Sequence, residues 1–248
     1  MLKVMLITGA SRGIGAATAR LAAAEGYALC LNFRSRQDAA DQLLNELRSW
    51  GARAIAVEAD VADESQVVRL FEALDAEFGR LDVLVNNAGM LERQTRLEDM
   101  DKARLERVFA VNVFGSFLCA REAIKRMSTR NGGAGGAIVN VSSIAAKLGA
   151  PNEYIDYAAA KGAIDSMTLG LAKEVAAEGI RVNAVRPGVI HTEIHASGGE
   201  PDRIERVRSS VPMGRGGEAK EVAEAILWLA SDKASYTSGA LLDVSGGR

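Results

Sequence analysis

Tyr157, Lys161 and Ser143 have the types and spacing that could perform acid–base chemistry. Tyr157 and Lys161 lie four residues apart in a helical pattern, so their side chains share one helix face. A free phenol has a pKa of about 10, and a positive charge within about 4–6 Å favours the phenolate. Ser143 ends an apolar strand-like run, and its hydroxyl could hold a carbonyl oxygen against the phenol. We predict a site that moves a proton to or from an alcohol oxygen, with the pKa of Tyr157 lowered by Lys161.

A glycine-rich turn near the N-terminus is the second pattern with chemical meaning. Lys3–Thr8 resembles a short apolar strand, and the turn Gly9–Gly15 leads from it into a helical pattern over Ala16–Glu25. Backbone N–H groups at the start of such a helix suit a pyrophosphate, and glycine lets the ligand approach the backbone closely. The spacing Gly-x-x-x-Gly-x-Gly differs from the commoner Gly-x-Gly-x-x-Gly pattern. The strand before it and the helix after it favour a dinucleotide-binding turn.

Length and composition restrict the kind of protein. The chain has 248 residues, which fits one domain over 1–248. Its net charge of −2 argues against a nucleic-acid partner or an anionic membrane, and no apolar run approaches the ~18–20 residues that cross a bilayer. Cys30 and Cys119 fall in a strand pattern and a helix pattern, so we expect buried thiols in a reducing cytoplasm. Because no His/Cys cluster occurs, we predict no transition-metal site.

Strand-like and helix-like segments alternate along the whole chain. The predicted strands are apolar on both faces, which is typical of a parallel sheet with helices on both sides. We therefore predict an α/β fold, a Rossmann-type three-layer sandwich around a mostly parallel, doubly wound sheet. Further strands are predicted at Ala28–Phe33, Arg53–Glu58, Leu81–Asn86, Ala137–Ser142, Arg181–Arg186 and Leu241–Val244. Further helices are predicted at Arg36–Ser49, Asp63–Phe78, Leu97–Thr129, Tyr154–Glu178 and Val222–Ala230, with a break near the start of Leu97–Thr129 as an alternative to one continuous helix.

Residues of special chemistry fall where these predicted strands end, namely Gly9, Asp60, Asn86, Ser143 and Pro187. In open parallel sheets, ligands bind outside the carboxyl ends of the strands. One edge of the predicted sheet therefore collects the candidate site.

Taken in order, these motifs resemble those of the short-chain dehydrogenase/reductase family of the Tyr-x-x-x-Lys type. The resemblance extends from Thr8 to Gly247. Each motif alone is weak evidence, whereas their joint order is specific. The motifs are Thr8-Gly-Ala-Ser-Arg-Gly-Ile-Gly15, Asp60-Val61, Asn86-Asn-Ala-Gly89, Asn112, Ser143, Tyr157 with Lys161, and Pro187-Gly188 with Thr192.

The resemblance implies a role for each matching residue. It implies Tyr157 as the acid/base, Lys161 as its partner and a ligand of the nicotinamide ribose, and Ser143 as the donor that orients the carbonyl. It implies Asn112 in a proton relay through water to Lys161; because Asn112 lies in an apolar helix pattern, we also expect it to bond backbone and fix a kink. The residues predicted to contact the cofactor, besides Tyr157 and Lys161, are Gly9, Ser11, Arg12, Gly13, Ile14, Gly15, Arg34, Ser35, Asp60, Val61, Asn87, Ala88, Gly89, Pro187, Gly188, Val189 and Thr192.

The end of the second strand bears on which nicotinamide cofactor is used. An acidic side chain there would bind the ribose 2′-hydroxyl, but none occurs before Asp38. Arg34 stands there instead, and Arg12 lies in the glycine turn; guanidinium groups suit a phosphate. We predict NADP(H). The alternative is that Arg34 is a solvated charge and NAD(H) is also used.

The leading hypothesis is an NADP(H)-dependent oxidoreductase that interconverts a small-molecule carbonyl and a secondary alcohol, with Tyr157 as acid/base. A second hypothesis keeps the fold and changes the chemistry, because Tyr154 and Lys161 are seven residues apart, a spacing that resembles the enoyl reductase branch of the family. A third is a cofactor-binding sensor without turnover.

Single residues also leave alternatives open. Ser142 competes with Ser143, and it fits the structural serine that precedes the catalytic one in the family. His191 and His195 are the only histidines, and because solvated loop histidines are common, neither is assigned a role. The polar segment at about 190–215 is either a solvated surface or a mobile lid over the substrate.

The resemblance finally suggests where substrate and subunits meet. Met90–Glu98, Ala145–Glu153 and His191–Met213 are expected to shape the substrate pocket. The family is usually tetrameric or dimeric, so we expect a homo-oligomer that packs through the Tyr154–Glu178 helix and the last strand. Ser245 stands where many family members carry an acidic residue before the final two glycines.

Overall fold

A parallel sheet forms the centre of the computed structural model, which describes residues 2–248. Its strands are β1 (Val4–Ile7), β2 (Ala28–Phe33), β3 (Ala54–Glu58), β4 (Val83–Asn86), β5 (Gly136–Val141), β6 (Ile180–Pro187) and β9 (Leu241–Val244). They pair in the order β3-β2-β1-β4-β5-β6-β9, every pair parallel. The order reverses between β1 and β4, which opens a crevice at their carboxyl ends. The predicted fold class is confirmed.

Helices cover both faces of the sheet. The helices are α1 (Gly13–Ala24), α2 (Gln37–Ser49), α3 (Glu64–Phe78), α4 (Lys102–Phe109), α5 (Gly115–Met127), α6 (Ala145–Leu148), α7 (Ile155–Glu174), α8 (Ile194–Ser197), α9 (Arg203–Val207) and α10 (Ala219–Ala230). Apolar side chains of α3, α5 and α7 pack on one face, and those of α1, α2 and α10 pack on the other. β1, β2 and β4 are buried along their whole length, as a strand covered on both sides must be.

The predicted helix over Leu97–Thr129 is divided into several pieces. A 3-10 turn occupies Leu97–Asp99, the chain is extended at Met100, and α4 begins after the N-cap Asp101. A π-helical stretch, Ala110–Phe114, then joins α4 to α5. The break near the start and the irregularity at Asn112 are both confirmed. The helix ends at Met127, two residues before the predicted end.

Other boundaries differ from the prediction for local reasons. α7 ends at Glu174, and a separate 3-10 turn covers Ala176–Glu178 before Gly179 adopts a left-handed conformation. α10 begins three residues earlier than predicted, because Glu218 and Glu221 form a capping box at its start.

Two short strands that the sequence pattern did not indicate are β7 (Ile190–His191) and β8 (Gly217–Glu218). They pair in parallel and hold together the two ends of the segment between them. Between residues 2 and 248, no helix is both long and apolar enough to span a bilayer.

Candidate active site

One cavity of about 730 Å³ lies at the carboxyl ends of the strands, where the topology predicts a ligand crevice. Most of the residues predicted for the site line it. These are Gly9, Ser11, Arg12, Gly13, Ile14, Arg34, Ser35, Asp60, Val61, Asn87, Ala88, Gly89, Ser143, Tyr157, Lys161, Pro187, Gly188, Val189 and Thr192. Gly15 and Asn112 do not line the cavity; they lie behind its wall.

The glycine turn is shaped by its neighbours. Gly9 and Gly13 have φ values of +61° and +54°, which glycine adopts without strain. The Asn87 side chain donates to the carbonyl oxygens of Thr8 (2.8 Å) and Gly9 (3.0 Å), which ties the end of β4 to the turn. A Cβ on Gly15 would stand 2.6 Å from both Asn87 Nδ2 and the Gly9 oxygen. Gly15 therefore allows α1 to pack closely against Asn87 and the glycine turn. The two hydrogen bonds of Asn87 stabilise that turn.

The first turn of α1 lines the cavity and has no side-chain cap. Arg12, the N-cap residue, makes no side-chain hydrogen bond to its backbone N–H groups, and no acidic residue stands in the first turn. Gly13 and Ile14 line the cavity at this point. Uncapped N–H groups at the positive end of a helix favour an anion.

Tyr157 and Lys161 meet on the same face of α7, as predicted. Lys161 Nζ lies 5.5 Å from the centre of the Tyr157 ring, and it donates to the Val141 carbonyl oxygen at 2.8 Å. Lys161 is buried and Tyr157 half-buried, so both groups stand in a poorly solvated part of the cavity. Ser143, at the end of β5, lines the same wall.

The predicted lowering of the Tyr157 pKa is wrong for the protein alone. Burial raises the pKa of Tyr157 to about 12, and hydrogen bonding to Ser143 and the charge of Arg203 oppose that rise only in part. Burial also lowers the pKa of Lys161 to about 8. Desolvation disfavours the charged form of each group, and for both groups it is the largest cause of the change in pKa.

The two adjacent serines have different surroundings. Ser142 Oγ donates to Asp165 Oδ1 at 2.6 Å and approaches the Lys161 carbonyl oxygen at 3.1 Å, so its hydroxyl is engaged in fastening β5 to α7. Ser143 Oγ accepts the Ala145 N–H at 3.1 Å and faces Tyr157. The hydroxyl of Ser143 is the one with a hydrogen left to donate towards a ligand.

Asn112 stands at the centre of the π-helical stretch and is fully buried. Its Nδ2 donates to the carbonyl oxygens of Val108 (2.9 Å) and Met90 (3.1 Å), and its Oδ1 accepts the Met90 N–H at 3.2 Å. These bonds satisfy the amide completely and hold the chain after β4. A Cβ on Gly89 would lie 3.0 Å from Asn112 Oδ1 and 3.6 Å from Lys161 Nζ, so a side chain there would make a tight contact with the Asn112 amide. The predicted kink is confirmed, and the relay stays a prediction.

At the far end of β2, Arg34 is exposed and its Nη1 lies 3.7 Å from Asp60 Oδ2. Asn32, which the sequence reasoning overlooked, is buried beside them: its Oδ1 accepts the Gly9 N–H at 3.2 Å and its Nδ2 donates to the Ala59 oxygen at 2.9 Å. Asn32 is a polar residue inside an otherwise apolar strand pattern, and this feature of the sequence could have identified it.

The opposite end of the cavity contains charged residues from two of the segments predicted to shape the substrate pocket. Arg203 and Arg206 of α9 and Glu153 before α7 line it, together with Tyr154, His195 and Arg248. Each predicted pocket segment contributes lining residues, including Met90 and Leu91, Ala145, Leu148, Ala150 and Pro151, and Ile194, Ser197 and Val207. Arg248 lies outside these segments, and no local sequence pattern indicates its place in the cavity.

The two histidines differ. His191 is exposed, whereas His195 is buried, and its Nε2 lies 3.1 Å from the Ile190 carbonyl oxygen. Burial and the charge of Arg203 lower the pKa of His195, so it is neutral near pH 7. Across residues 2–248, no cluster of three His, Cys, Asp or Glu side chains could hold a metal ion.

The fold and the cavity define an oxidoreductase built on a dinucleotide-binding sheet, and comparison with known proteins agrees. The family model described as enoyl-(acyl carrier protein) reductase matches residues 9–248. A short-chain dehydrogenase/reductase of Serratia marcescens, solved as a doubly substituted form, superposes with a TM-score of 0.91 at 31% identity over 99% of this chain and 97% of that one. This chain belongs to the short-chain dehydrogenase/reductase family.

Three further proteins are similar over essentially the full length. An uncharacterized oxidoreductase of Escherichia coli K12 is 56% identical over 100% of both chains. The cis-4-hydroxycyclohexanecarboxylate dehydrogenase of Sinomonas cyclohexanicum is 44% identical, over 99% of this chain and 96% of that one. The 3-ketoacyl-(acyl-carrier-protein) reductase of Brucella melitensis, solved with NADH, has a TM-score of 0.92 at 35% identity, covering 99% and 98%.

Proposed function

We propose that this protein is an NADP(H)-dependent oxidoreductase that interconverts a carbonyl and a secondary alcohol, with Tyr157 as the acid/base. The observation that carries the proposal is that one cavity holds both the uncapped start of α1 and the Ser143, Tyr157 and Lys161 side chains. The relatives named as dehydrogenases and ketoacyl reductases act on alcohols or ketones, which supports the same chemistry here.

The residues present fit a dinucleotide. A Cβ on Gly13 would stand 3.2 Å from Thr192 Cγ2, so the lack of a side chain there keeps the passage beside α1 open. The N–H groups of Gly13 and Ile14 would hold the pyrophosphate, Asp60 and Val61 would border the adenine, and Thr192 would contact the nicotinamide carboxamide. When bound, a nicotinamide dinucleotide supplies a hydride to the substrate carbon or accepts one from it.

Tyr157 and Ser143 would act on the substrate oxygen. Because the pKa of Tyr157 lies near 12, the phenol holds its proton at neutral pH and can donate it to a developing alkoxide. Ser143 would donate a second hydrogen bond to the same oxygen and keep it in line with the phenol. Lys161, mostly charged at pH 7, would favour the phenolate left behind. General acid–base help of this kind is typically worth about 10²–10⁴ in rate.

The preference for NADP(H) is proposed from charge at the end of β2. Arg34 and Arg12 are exposed at the cavity, and Ser35 beside Arg34 is neutral. Two guanidinium groups suit a 2′-phosphate, whereas the ribose hydroxyl of NAD is usually held by an acidic side chain at this place. Asp60, 3.7 Å from Arg34, and the NADH found in the Brucella melitensis reductase keep NAD(H) as the alternative.

A second candidate function is reduction of a carbon–carbon double bond, which the description of the family model favours. It would require Tyr154 as the acid. Tyr154 is buried under the guanidinium of Arg203, whose carbon lies 5.0 Å from the ring centre, and burial raises its pKa. A hydroxyl enclosed in this way is poorly placed to reach a substrate, so the carbonyl reaction is the better-supported one.

The test is NADPH oxidation over a panel of ketones and enoyl thioesters, with Tyr157→Phe and Tyr154→Phe as a matched pair. We expect turnover of ketones that Tyr157→Phe abolishes and Tyr154→Phe largely retains. The reverse result would establish the enoyl reaction. NADPH binding without oxidation of any compound would instead support a sensor.

We also propose that the protein works as a homo-oligomer in the cytoplasm. Exposed apolar side chains lie at the end of the π-helical stretch (Phe114), on α5 (Phe117) and on α7 (Leu169), where a second copy could cover them. Size-exclusion chromatography with light scattering should give the mass of a dimer or tetramer, and Phe117→Glu should reduce it; a monomeric mass for the unaltered protein would refute this part.

A further inference from the structure

The side chain of Arg248 is a cation at the cavity wall that has no hydrogen bond and no ion pair of its own among residues 2–248. Arg248 lines the cavity and is half-buried. Burial, followed by repulsion from Arg203, lowers the pKa of this guanidinium, and the charge of Glu153 opposes that change only in part. Because a guanidinium is charged at neutral pH, its N–H groups remain available to an anionic ligand in the cavity.

The neighbouring charges are already paired with one another. Glu153 and Glu200 each bind both Arg203 and Arg206: Arg203 lies 2.5 Å from Glu153 and 3.1 Å from Glu200, and Arg206 lies 2.7 Å from Glu153 and also contacts Glu200. Burial would raise the pKa of Glu153, but the two arginines outweigh it and lower that pKa. The two carboxylates thus form their ion pairs with Arg203 and Arg206, and Glu153 acts on Arg248 without forming an ion pair with it.

Packing fixes Arg248 at the catalytic end of the cavity. The segment Ser245–Arg248 lies between two loops: a Cβ on Gly188 would stand 2.8 Å from the Ser245 Cα, and the Met213 N–H donates to the Gly246 oxygen at 3.1 Å. Ser245 brings no charge, and its hydroxyl donates to the Arg248 carbonyl oxygen at 3.1 Å. The guanidinium carbon of Arg203 lies 5.0 Å from the ring centre of Tyr154, three residues before Tyr157, and Arg203, Tyr157 and Arg248 line the same cavity.

We infer that Arg248 is a specificity-determining residue that binds an anionic group, a carboxylate, on the substrate whose carbonyl or alcohol meets Tyr157. A carboxylate can accept two parallel hydrogen bonds from a guanidinium. The inference rests on the proposed function, because it places the anion on the molecule that Tyr157 protonates.

The experiment compares 4-oxocyclohexanecarboxylate with its methyl ester, in which a methyl group replaces the negative charge. For the wild-type protein with NADPH, we expect kcat/KM to be higher for the acid. Arg248→Gln should lower kcat/KM for the acid by about 10- to 100-fold, as expected for a lost charge-assisted hydrogen bond, and leave the ester unchanged. Arg248→Lys should retain part of the preference for the acid that Arg248→Gln loses, because lysine keeps the positive charge but cannot donate two parallel hydrogen bonds. Arg208→Ala removes an exposed arginine that does not line the cavity, and it should change kcat/KM for neither substrate.

A binding measurement separates this inference from the proposed reaction. Isothermal titration calorimetry on protein loaded with NADP⁺, which cannot reduce a ketone, should show tighter binding of the acid than of the ester, and Arg248→Gln should remove the difference. Equal affinity for both, or an equal loss for both in Arg248→Gln, would overturn the role of Arg248 whether or not turnover occurs. If the protein binds the acid more tightly than the ester but turns over neither, the proposed reaction would be refuted and the role of Arg248 would stand.

Discussion

Arg104 donates from Nε to Oδ2 of Asp156 at 2.7 Å, and both side chains are almost fully buried. Asp156 is the residue before Tyr157, and its Oδ1 accepts the Tyr157 backbone N–H at 2.9 Å. Arg104 also donates from Nη1 to the Arg93 carbonyl oxygen at 2.6 Å. This pair therefore fixes α4, the start of α7 and the loop after β4 relative to one another, directly beside Tyr157.

Removing one partner of this pair should be costly. Arg104→Met would leave Asp156 buried and unpaired, and we expect a loss of about 3–5 kcal/mol in the free energy of unfolding. Lys102→Met is the matched control, because Lys102 pairs with Glu106 on the exposed side of the same helix, and such pairs contribute about 0–1 kcal/mol. Urea unfolding of both variants tests this; equal losses would mean that Arg104 is not specially important.

The ion pair of Arg104 and Asp156 also illustrates what sequence can and cannot predict. The alternation of apolar strands with amphipathic helices predicted the sheet, because both patterns are local, and strand ends predicted where Gly9, Ser143 and Pro187 would gather. Arg104 and Asp156 lie 52 residues apart, and neither has a neighbouring pattern that identifies its partner.

Tertiary context explains the remaining differences. The charged end of the cavity, where we propose that the substrate binds, is assembled from α9, the start of α7 and Arg248, and these charged residues look like ordinary surface in sequence. The raised pKa of Tyr157 depends on the extent of burial, which the Tyr-x-x-x-Lys spacing does not contain.

Ser142 and Ser143 should separate stability from catalysis. Ser142→Ala removes the 2.6 Å hydrogen bond to Asp165, and we expect a loss of about 1–3 kcal/mol in the free energy of unfolding with modest loss of activity. Ser143→Ala removes a donor to the substrate oxygen, and we expect kcat to fall by about 10²–10³ with little change in unfolding. Unfolding and kinetic measurements on both variants test this prediction. A large loss of kcat in Ser142→Ala with little loss in Ser143→Ala would assign the donor role to Ser142.

The pH dependence of reduction should follow Lys161. Burial lowers its pKa to about 8, and the ammonium exists below that pKa. If the charge is needed, kcat/KM for ketone reduction should be constant below about pH 7.5 and fall about tenfold for each pH unit above the pKa. Whatever activity Lys161→Arg retains should stay constant to about pH 10, since a guanidinium keeps its proton there. A wild-type profile that is level to pH ~9.5 would show that the charge of Lys161 is dispensable.

Arg34 should determine the choice of cofactor. Arg34→Asp replaces an exposed guanidinium with a carboxylate next to Asp60, 3.7 Å from the original Nη1, so a 2′-phosphate would meet two negative charges. We expect KM for NADPH to rise by about 10- to 100-fold, the range of a lost charge-assisted hydrogen bond, while KM for NADH stays constant or falls. Arg69→Asp, which makes the same charge change on the exposed side of α3, is the control and should alter neither constant. An equal rise for both cofactors would mean that Arg34 contacts a part common to them, and the preference for the phosphate would then have to come from Arg12.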